Sequence, residues 1–284
     1  MKAKYINPYT DFGFKKLFGE EANKNLLIDF LNELLPSQHK ITLLTFKNVE
    51  QSGENKQERK AIFDIHCENE NGERFIVEMQ KAKIKFFKDR AVFYTTFPIK
   101  EQAEKGDWDF KLTPIYCVAL LDFTFDEDRE HKDYVSNVQL KDQYCQIFYN
   151  KLAYIFIEMP RFNKQEHELK SHFDKWLYFL KHLESFEEIP DILEEDVFMQ
   201  GFRVAEITNF DKNQLALYER SLMYYRDLKA VVDTAFEEGK IAGKIEVEKI
   251  QASIEIAKEM KKVGESFDKI SKFTGLSKEE IDRL

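Results

Sequence analysis

Asp64 and the tripeptide Glu78-Met79-Gln80 lie on two adjacent segments of strand-like sequence and are followed at once by Lys81, Lys83, Lys85, Lys88 and Arg90. Two carboxylates that can share a divalent metal, beside cations that can hold a phosphate, are the parts needed for metal-assisted cleavage of nucleic acid. From Gln80 to Arg90 there are five basic residues against one acid, Asp89, a local charge of +4 in a chain whose net charge is -9. The first 110 residues balance 18 Lys/Arg against 18 Asp/Glu, so the whole deficit lies in the remainder, 25 against 34. An acidic chain with one basic strip suits transient contact with a phosphate backbone better than tight storage.

The elements that position these residues follow from periodicity. Apolar residues recur with a helical period from Asp11 to Leu35, interrupted near Gly19, with Thr10 or Asp11 as cap. Strands are expected over Ile41 to Val49, Ala61 to Cys67 and Arg74 to Gln80, then a helix from about Phe86 to Glu104. Ile115 to Phe123 is almost continuously apolar and reads as a buried strand, and shorter strands are expected at 135–140, 146–149 and 153–159. This order indicates a mixed sheet flanked by helices. After Pro160 the period is helical throughout: His167 to Leu183, Val197 to Ile207, Gln214 to Phe236, and Lys244 to Lys262 beyond Gly239 and Gly243. Ser277 with Glu280 forms a capping box, so the end is a small helical hairpin. Three regions result: 1–160 as the core, 161–238 as a helical region on or beside it, and 239–284 as a charged helix with the hairpin.

Strand parity decides whether the acids can meet. Asp64 and His66 face away from Phe63, Ile65 and Cys67, and Glu78 and Gln80 share one face of their strand. A two-residue Asn71-Gly72 turn would pair Asp64 with Met79 and put the two acids on opposite faces. A three-residue loop, Glu70-Asn71-Gly72, pairs Asn69 with Glu73 and Asp64 with Glu78, and gathers Phe63, Ile65, Val77 and Met79 on the apolar side. That loop needs its third residue in the left-handed region, which Gly72 supplies, and it is the expected register. Carboxylates directly opposed across strands repel unless a cation lies between them. A hard ion such as Mg²⁺, or Mn²⁺ in its place, takes carboxylate oxygens, waters and phosphate oxygens, which fits Asp64, Glu78 and the carbonyl of Met79.

Around this centre each residue has a plainer reading as well. Asp11 is a candidate third metal acid and equally a helix cap. Lys15 is a candidate phosphate contact and equally a packing residue. His66 shares the Asp64 face but is read as structural. The terminal helix, with a net charge of -1 over Ser277 to Leu284, is poor chemistry for a major-groove reader and is read as a regulatory or self-associating hairpin, a route to a homo-oligomer.

Composition bounds the setting. With 284 residues, 43% hydrophobic residues and 26 Phe, the chain can build a substantial core. Met1 to Pro8 lacks an apolar signal region and the run Ile115 to Leu121 is too short to span a bilayer, so a soluble cytoplasmic protein without membrane contact is expected. Cys67, Cys117 and Cys145 form no CxxC pair and are expected as small core residues.

The acid on one strand followed by Glu-x-Gln on the next resembles the PD-(D/E)XK nuclease superfamily, and most closely its Rpn branch of transposase-like, recombination-promoting nucleases. The ordered residues carrying the resemblance are Asp11-Phe12-Gly13-Phe14-Lys15-Lys16-Leu17-Phe18, Phe30-Leu31-Asn32, Asp64, Glu78-Met79-Gln80, Arg90 to Tyr94, Gly106, and Thr274-Gly275-Leu276-Ser277-Lys278-Glu279-Glu280-Ile281. It implies an α/β, restriction-endonuclease-like mixed central sheet flanked by helices, followed by an all-α C-terminal region. It also implies a Mg²⁺-dependent DNA endonuclease of recombination or mobile elements, with Asp64, Glu78 and Gln80 as catalytic residues. Lys15, Lys81, Lys83, Lys85, Lys88 and Arg90 would then meet the DNA backbone. Gln80 occupies the superfamily's lysine position, as is common in the branch; it cannot act as an ammonium, though its amide can orient a water, so weak activity or a second metal is expected. The competing expectation is a non-catalytic DNA-binding or assembly protein that retains the nuclease fold.

Overall fold

A computed structural model describes residues 3–36, 40–51, 61–103, 109–125 and 133–284. Gly106 and the acidic run Asp126-Glu127-Asp128 lie outside them. In chain order the elements are α1 (Asp11–Phe18), α2 (Lys24–Asn32), β1 (Leu44–Phe46), β2 (Glu50–Gln51), β3 (Ala61–Ile62), β4 (Ile65–Asn69), β5 (Arg74–Gln80), α3 (Phe87–Lys100), β6 (Ile115–Leu121), β7 (Val135–Lys141), β8 (Ile147–Glu158), α4 (His172–His182), α5 (Asp196–Ala205), α6 (Lys212–Lys262), α7 (Phe267–Thr274) and α8 (Lys278–Asp282). The chain divides into two compact units, Met1–Asp227 and Leu228–Leu284.

The first unit is built on a six-stranded mixed sheet of order β1-β4-β5-β6-β8-β7. β6 runs parallel to both β5 and β8, while β4 and β7 are antiparallel to their partners. Every residue of β6 is buried, as expected of a strand flanked on both edges and covered on both faces. One face, carrying Ile65, Cys67, Phe75, Val77, Met79, Val118, Leu120, Ile155 and Ile157, packs against the helices α1, α2, α4 and α5. The other, carrying Ile76, Cys117, Ala119, Leu121, Tyr154 and Phe156, packs against Phe87 and Ala91 of α3. This is the mixed sheet between helices that the pattern of elements predicts.

α1 owes its start to a tight corner. Asn7 accepts the Thr10 hydroxyl on its carbonyl at 2.8 Å, and Thr10 in turn accepts the Gly13 amide at 2.9 Å, so Thr10, not Asp11, is the cap. Gly13 lies so near this corner that a Cβ would come within 2.2 Å of the Asn7 carbonyl oxygen, which explains a glycine in the first turn of a helix. Phe14, Leu17 and Phe18 then enter the core.

Four expectations need correction. The segment Ala61 to Cys67 is two strands, broken at Phe63 and Asp64. Because of that break Phe63 leaves the face of Ile65 and packs instead on the α3 side, edge-to-face with His66 and Tyr94. The strands expected at 146–149 and 153–159 are one strand, β8, whose irregular pairing with β7 is absorbed at Leu140 and Lys141. Gly239 and Gly243 do not end a helix; α6 runs through them for 51 residues, two glycines at about 1 kcal/mol each being tolerated among good helix formers. Cys145 is exposed, in the β7–β8 turn with φ 61, where the Asp142 carboxylate takes the amides of Tyr144 and Gln146. Cys67 and Cys117 are buried as expected.

The second unit contains the end of α6 with α7 and α8, held by Ala257, Ile270 and Ile281. The Ser277–Glu280 capping box is present. Among the described residues no helix is long and apolar enough to cross a membrane.

Candidate active site

Two loops of backbone hydrogen bonds bring Asp64 and Glu78 together. Gly72 adopts φ +75, its amide donates to Asn69 O at 3.1 Å, and the Asn69 amide donates to Glu73 O at 3.0 Å. The resulting register pairs Ile65 with Val77 and Glu68 with Arg74, and one further step places Asp64 opposite Glu78. The three-residue loop is therefore the one formed. Across this pair the Asp64 amide donates to Glu78 Oε1 at 3.1 Å, and the Met79 amide donates to Asp64 Oδ2 at 2.8 Å. Each carboxylate is thus braced by the other strand's end of the site. The break in the strand before β4 is what frees the Asp64 amide to point at a side chain.

The charges do not balance themselves. Glu78 is 7% exposed; burial first, and then the charge of Asp64, push its carboxyl up to about 8 from a usual 4.5, although Arg90 and Lys15 pull it down. Asp64 is raised as well, by burial and by Asp11, against the opposing Met79 amide. Among the described residues Asp64 Oδ1 and Glu78 Oε2 accept no hydrogen bond. In an extended strand the N–H and C=O of a residue leave on the same side, so the Met79 carbonyl projects toward Asp64, while the Gln80 carbonyl projects the other way and accepts the Asp122 amide at 2.9 Å.

Asp11 lies close enough to raise Asp64, and it is itself in an ion pair with Lys81 at 2.9 Å. Burial would raise the Asp11 carboxyl, but Lys81 and Lys15 outweigh it and hold it low. Lys81 is turned inward, its side chain 9% exposed, with its ammonium also over the Tyr224 ring; it belongs to the charge balance of the acids and not to an open strip. Lys15 acts electrostatically on Asp11, Asp64 and Glu78 together. Lys83, Lys85 and Lys88 are exposed, the latter two lying over Phe86 and Phe125. His66 is buried, with its Nδ1 3.3 Å from Asn48 O, and burial lowers its pKa, so it stays a neutral structural side chain.

Arg90 departs most from the position the sequence suggests. Its guanidinium donates to Gln80 Oε1, while Gln80 Nε2 donates to Ala82 O at 3.0 Å. It stacks on Phe87 and Tyr94, 5.7 and 5.4 Å from their centroids. Tyr94, one helical turn on, completes this wall and was not singled out by its chemistry. The i-3 and i+4 spacing of Phe87 and Tyr94 about Arg90 is the signal that would have shown one helix face carrying all three.

As a metal site the arrangement offers hard oxygen donors: two braced carboxylates, each with an oxygen left over, and one carbonyl. That donor set fits Mg²⁺ or Mn²⁺, which complete their shells with water and phosphate. Among the described residues no three His, Cys, Asp or Glu side chains converge as a metal cluster, so Asp11 stands next to the pair without closing a third side.

A family model described as PD-(D/E)XK nuclease family transposase matches residues 8–235. The chain belongs to this family. The match takes in Asp64, Glu78, Gln80 and Arg90 and leaves α7 and α8 outside. No curated protein and no solved structure matches the chain. Membership places it among nuclease- and transposase-related proteins.

Proposed function

We propose that this family member is a Mg²⁺- or Mn²⁺-dependent DNA endonuclease that hydrolyses phosphodiester bonds during recombination or the movement of mobile elements. The observation that carries the reading is the reciprocal bracing of Asp64 and Glu78, which holds two carboxylates side by side with their remaining oxygens unused. Asp64, Glu78 and the Met79 carbonyl would hold the ion. When bound, it would acidify a coordinated water and neutralise charge developing at phosphorus. Gln80 gives one amide hydrogen to Ala82 and keeps the other, with which it orients the attacking water. Lys83 and Lys85, exposed just before α3, and Lys88, exposed in its first turn, meet the phosphate backbone on either side of the cut.

The test is nicking of supercoiled plasmid by the full chain. Relaxed circles are expected with Mg²⁺ or Mn²⁺, none with EDTA, and none from Asp64→Ala. Equal activity in wild type and Asp64→Ala would remove this reading and leave a DNA-binding or assembly protein on a nuclease fold.

A further inference from the structure

Gln80 is neutral at the position that the superfamily resemblance gives to lysine, so β5 supplies no cation to face the phosphate. Three lysines near it are poor substitutes. Lys81, next in sequence, has the opposite strand parity and is held by Asp11 at 2.9 Å. Lys15 comes from α1, and among the described residues its ammonium makes no hydrogen bond or ion pair that would fix its place. Lys83 is exposed past the strand end and solvated.

We propose that Arg90 is the catalytic cation of this site, brought in from α3, held in place by Gln80 as a positioning residue, and set to contact the scissile phosphate. This deepens the endonuclease reading above and rests on it. The amide of Gln80 has both ends assigned: its oxygen takes the guanidinium and its nitrogen donates to the Ala82 carbonyl, so the side chain cannot turn without losing both bonds. A guanidinium has five N–H donors in a plane, and the bond to Gln80 leaves others for two oxygens of one phosphate, a geometry lysine cannot match. Phe87 and Tyr94 flank that plane and fix its tilt. Gln80 stands two residues from Glu78 on the same face of β5, so the guanidinium it holds lies on the side of the acid that would hold the metal. The site has kept the positive charge and changed the element that supplies it. Gln80 does the work of holding, which is why a neutral residue stands in the lysine position.

Single-turnover cleavage by the full chain with Mn²⁺ tests this, alongside duplex affinity in Ca²⁺ by fluorescence anisotropy. Arg90→Ala is expected to slow cleavage about 100-fold, the typical loss on removing one donor to a developing oxyanion, while duplex affinity changes less than about threefold. Arg90→Ala combined with Gln80→Lys, which restores a cation on β5, is expected to recover at least about tenfold of that rate. If Arg90→Ala does not fold, Arg90→Gln, which keeps the aliphatic stem, carries the same expectation. A cleavage rate within threefold of wild type, a loss borne wholly by duplex affinity, or a double variant no faster than Arg90→Ala would each overturn the assignment of Arg90 while leaving the endonuclease intact. A wild type that does not cut with Mn²⁺, or that cuts no faster than Asp64→Ala, would instead remove the endonuclease reading and Arg90's role with it.

Discussion

Replacing Glu78 with Gln should make the metal-free protein more stable. Glu78 titrates at about 8 in the fold and near 4.5 when unfolded, because burial and the neighbouring Asp64 disfavour its charge. The unfolded chain therefore releases this proton first as pH rises. Between pH 4.5 and 8 the folded state holds more protons than the unfolded one, so this group costs stability progressively through that window and no further above it. At pH 7 the interval from 4.5 corresponds to about 3 kcal/mol, at 1.36 kcal/mol per unit. Glu78→Gln removes the ionisable group, and its amide oxygen can still accept the Asp64 amide now bound by Oε1 at 3.1 Å. In a unit of this size the gain corresponds to a rise in Tm of roughly 5–10 °C. The assay is thermal unfolding in EDTA from pH 5 to 8.5, with and without excess Mn²⁺. Wild type should lose stability with pH much more steeply than Glu78→Gln in EDTA, and Mn²⁺ should raise the Tm of wild type far more than that of the variant. A variant that melts at or below wild type in EDTA at pH 7.5 would refute the idea that the acid pair is held together against its own repulsion.

Other perturbations separate the fold's supports. Gly13→Ala should destabilise the first unit by about 2–3 kcal/mol, because the new Cβ meets the backbone oxygen of Asn7 at 2.2 Å; urea unfolding will show it. Gly239→Ala, in open space on α6, should do the reverse and stabilise its helix by about 1 kcal/mol, read as increased helicity on warming. Gly72→Ala has room beside Thr113 at 3.6 Å but must keep φ +75, so a loss of about 1 kcal/mol is expected with the Asp64–Glu78 register retained; a loss above about 3 kcal/mol would mean the loop does more than turn the chain. Burial alone would raise the Asp174 carboxyl, but Lys164, Tyr134 and the amides of Lys170 and Ser171 hold it at about 2 against a usual 3.8. Its depressed pKa means that its stabilisation is complete above pH 3.8 and is lost as pH falls toward 2; Asp174→Asn should forfeit about 2 kcal/mol at pH 7 and flatten the acid unfolding curve over that interval.

Much of the site could be read from parity and a single glycine. The alternation in Arg74–Gln80 and the need for a left-handed residue at Gly72 were enough to choose the register, since a slip by one residue would send the acids to opposite faces. Elements with local signals, such as the Ser277 capping box and the buried run Ile115–Leu121, appear where expected. The features that were not legible depend on contacts distant in sequence or on breaks in a pattern. Alternation gave Phe63 to the wrong face because nothing in Ala61 to Cys67 marks the interruption at Asp64 that frees its amide. Lys81 and Arg90 looked alike in a basic run, yet one folds inward to Asp11, 70 residues earlier, and the other is held by a neutral amide. Glu195 meets His172 at 2.9 Å, a contact between segments that local charge counting cannot reveal.

The bond between Gln80 and Arg90 also makes the two positions interdependent. A lysine arising at position 80 while Arg90 remains would set two like charges within about 4 Å, a repulsion of about 4 kcal/mol at an effective dielectric of 20. Loss of Arg90 while Gln80 remains would leave the amide oxygen without its guanidinium partner. Gln80 and Arg90 therefore work as one unit, and a change at either position has to be matched at the other to keep a single held cation beside β5.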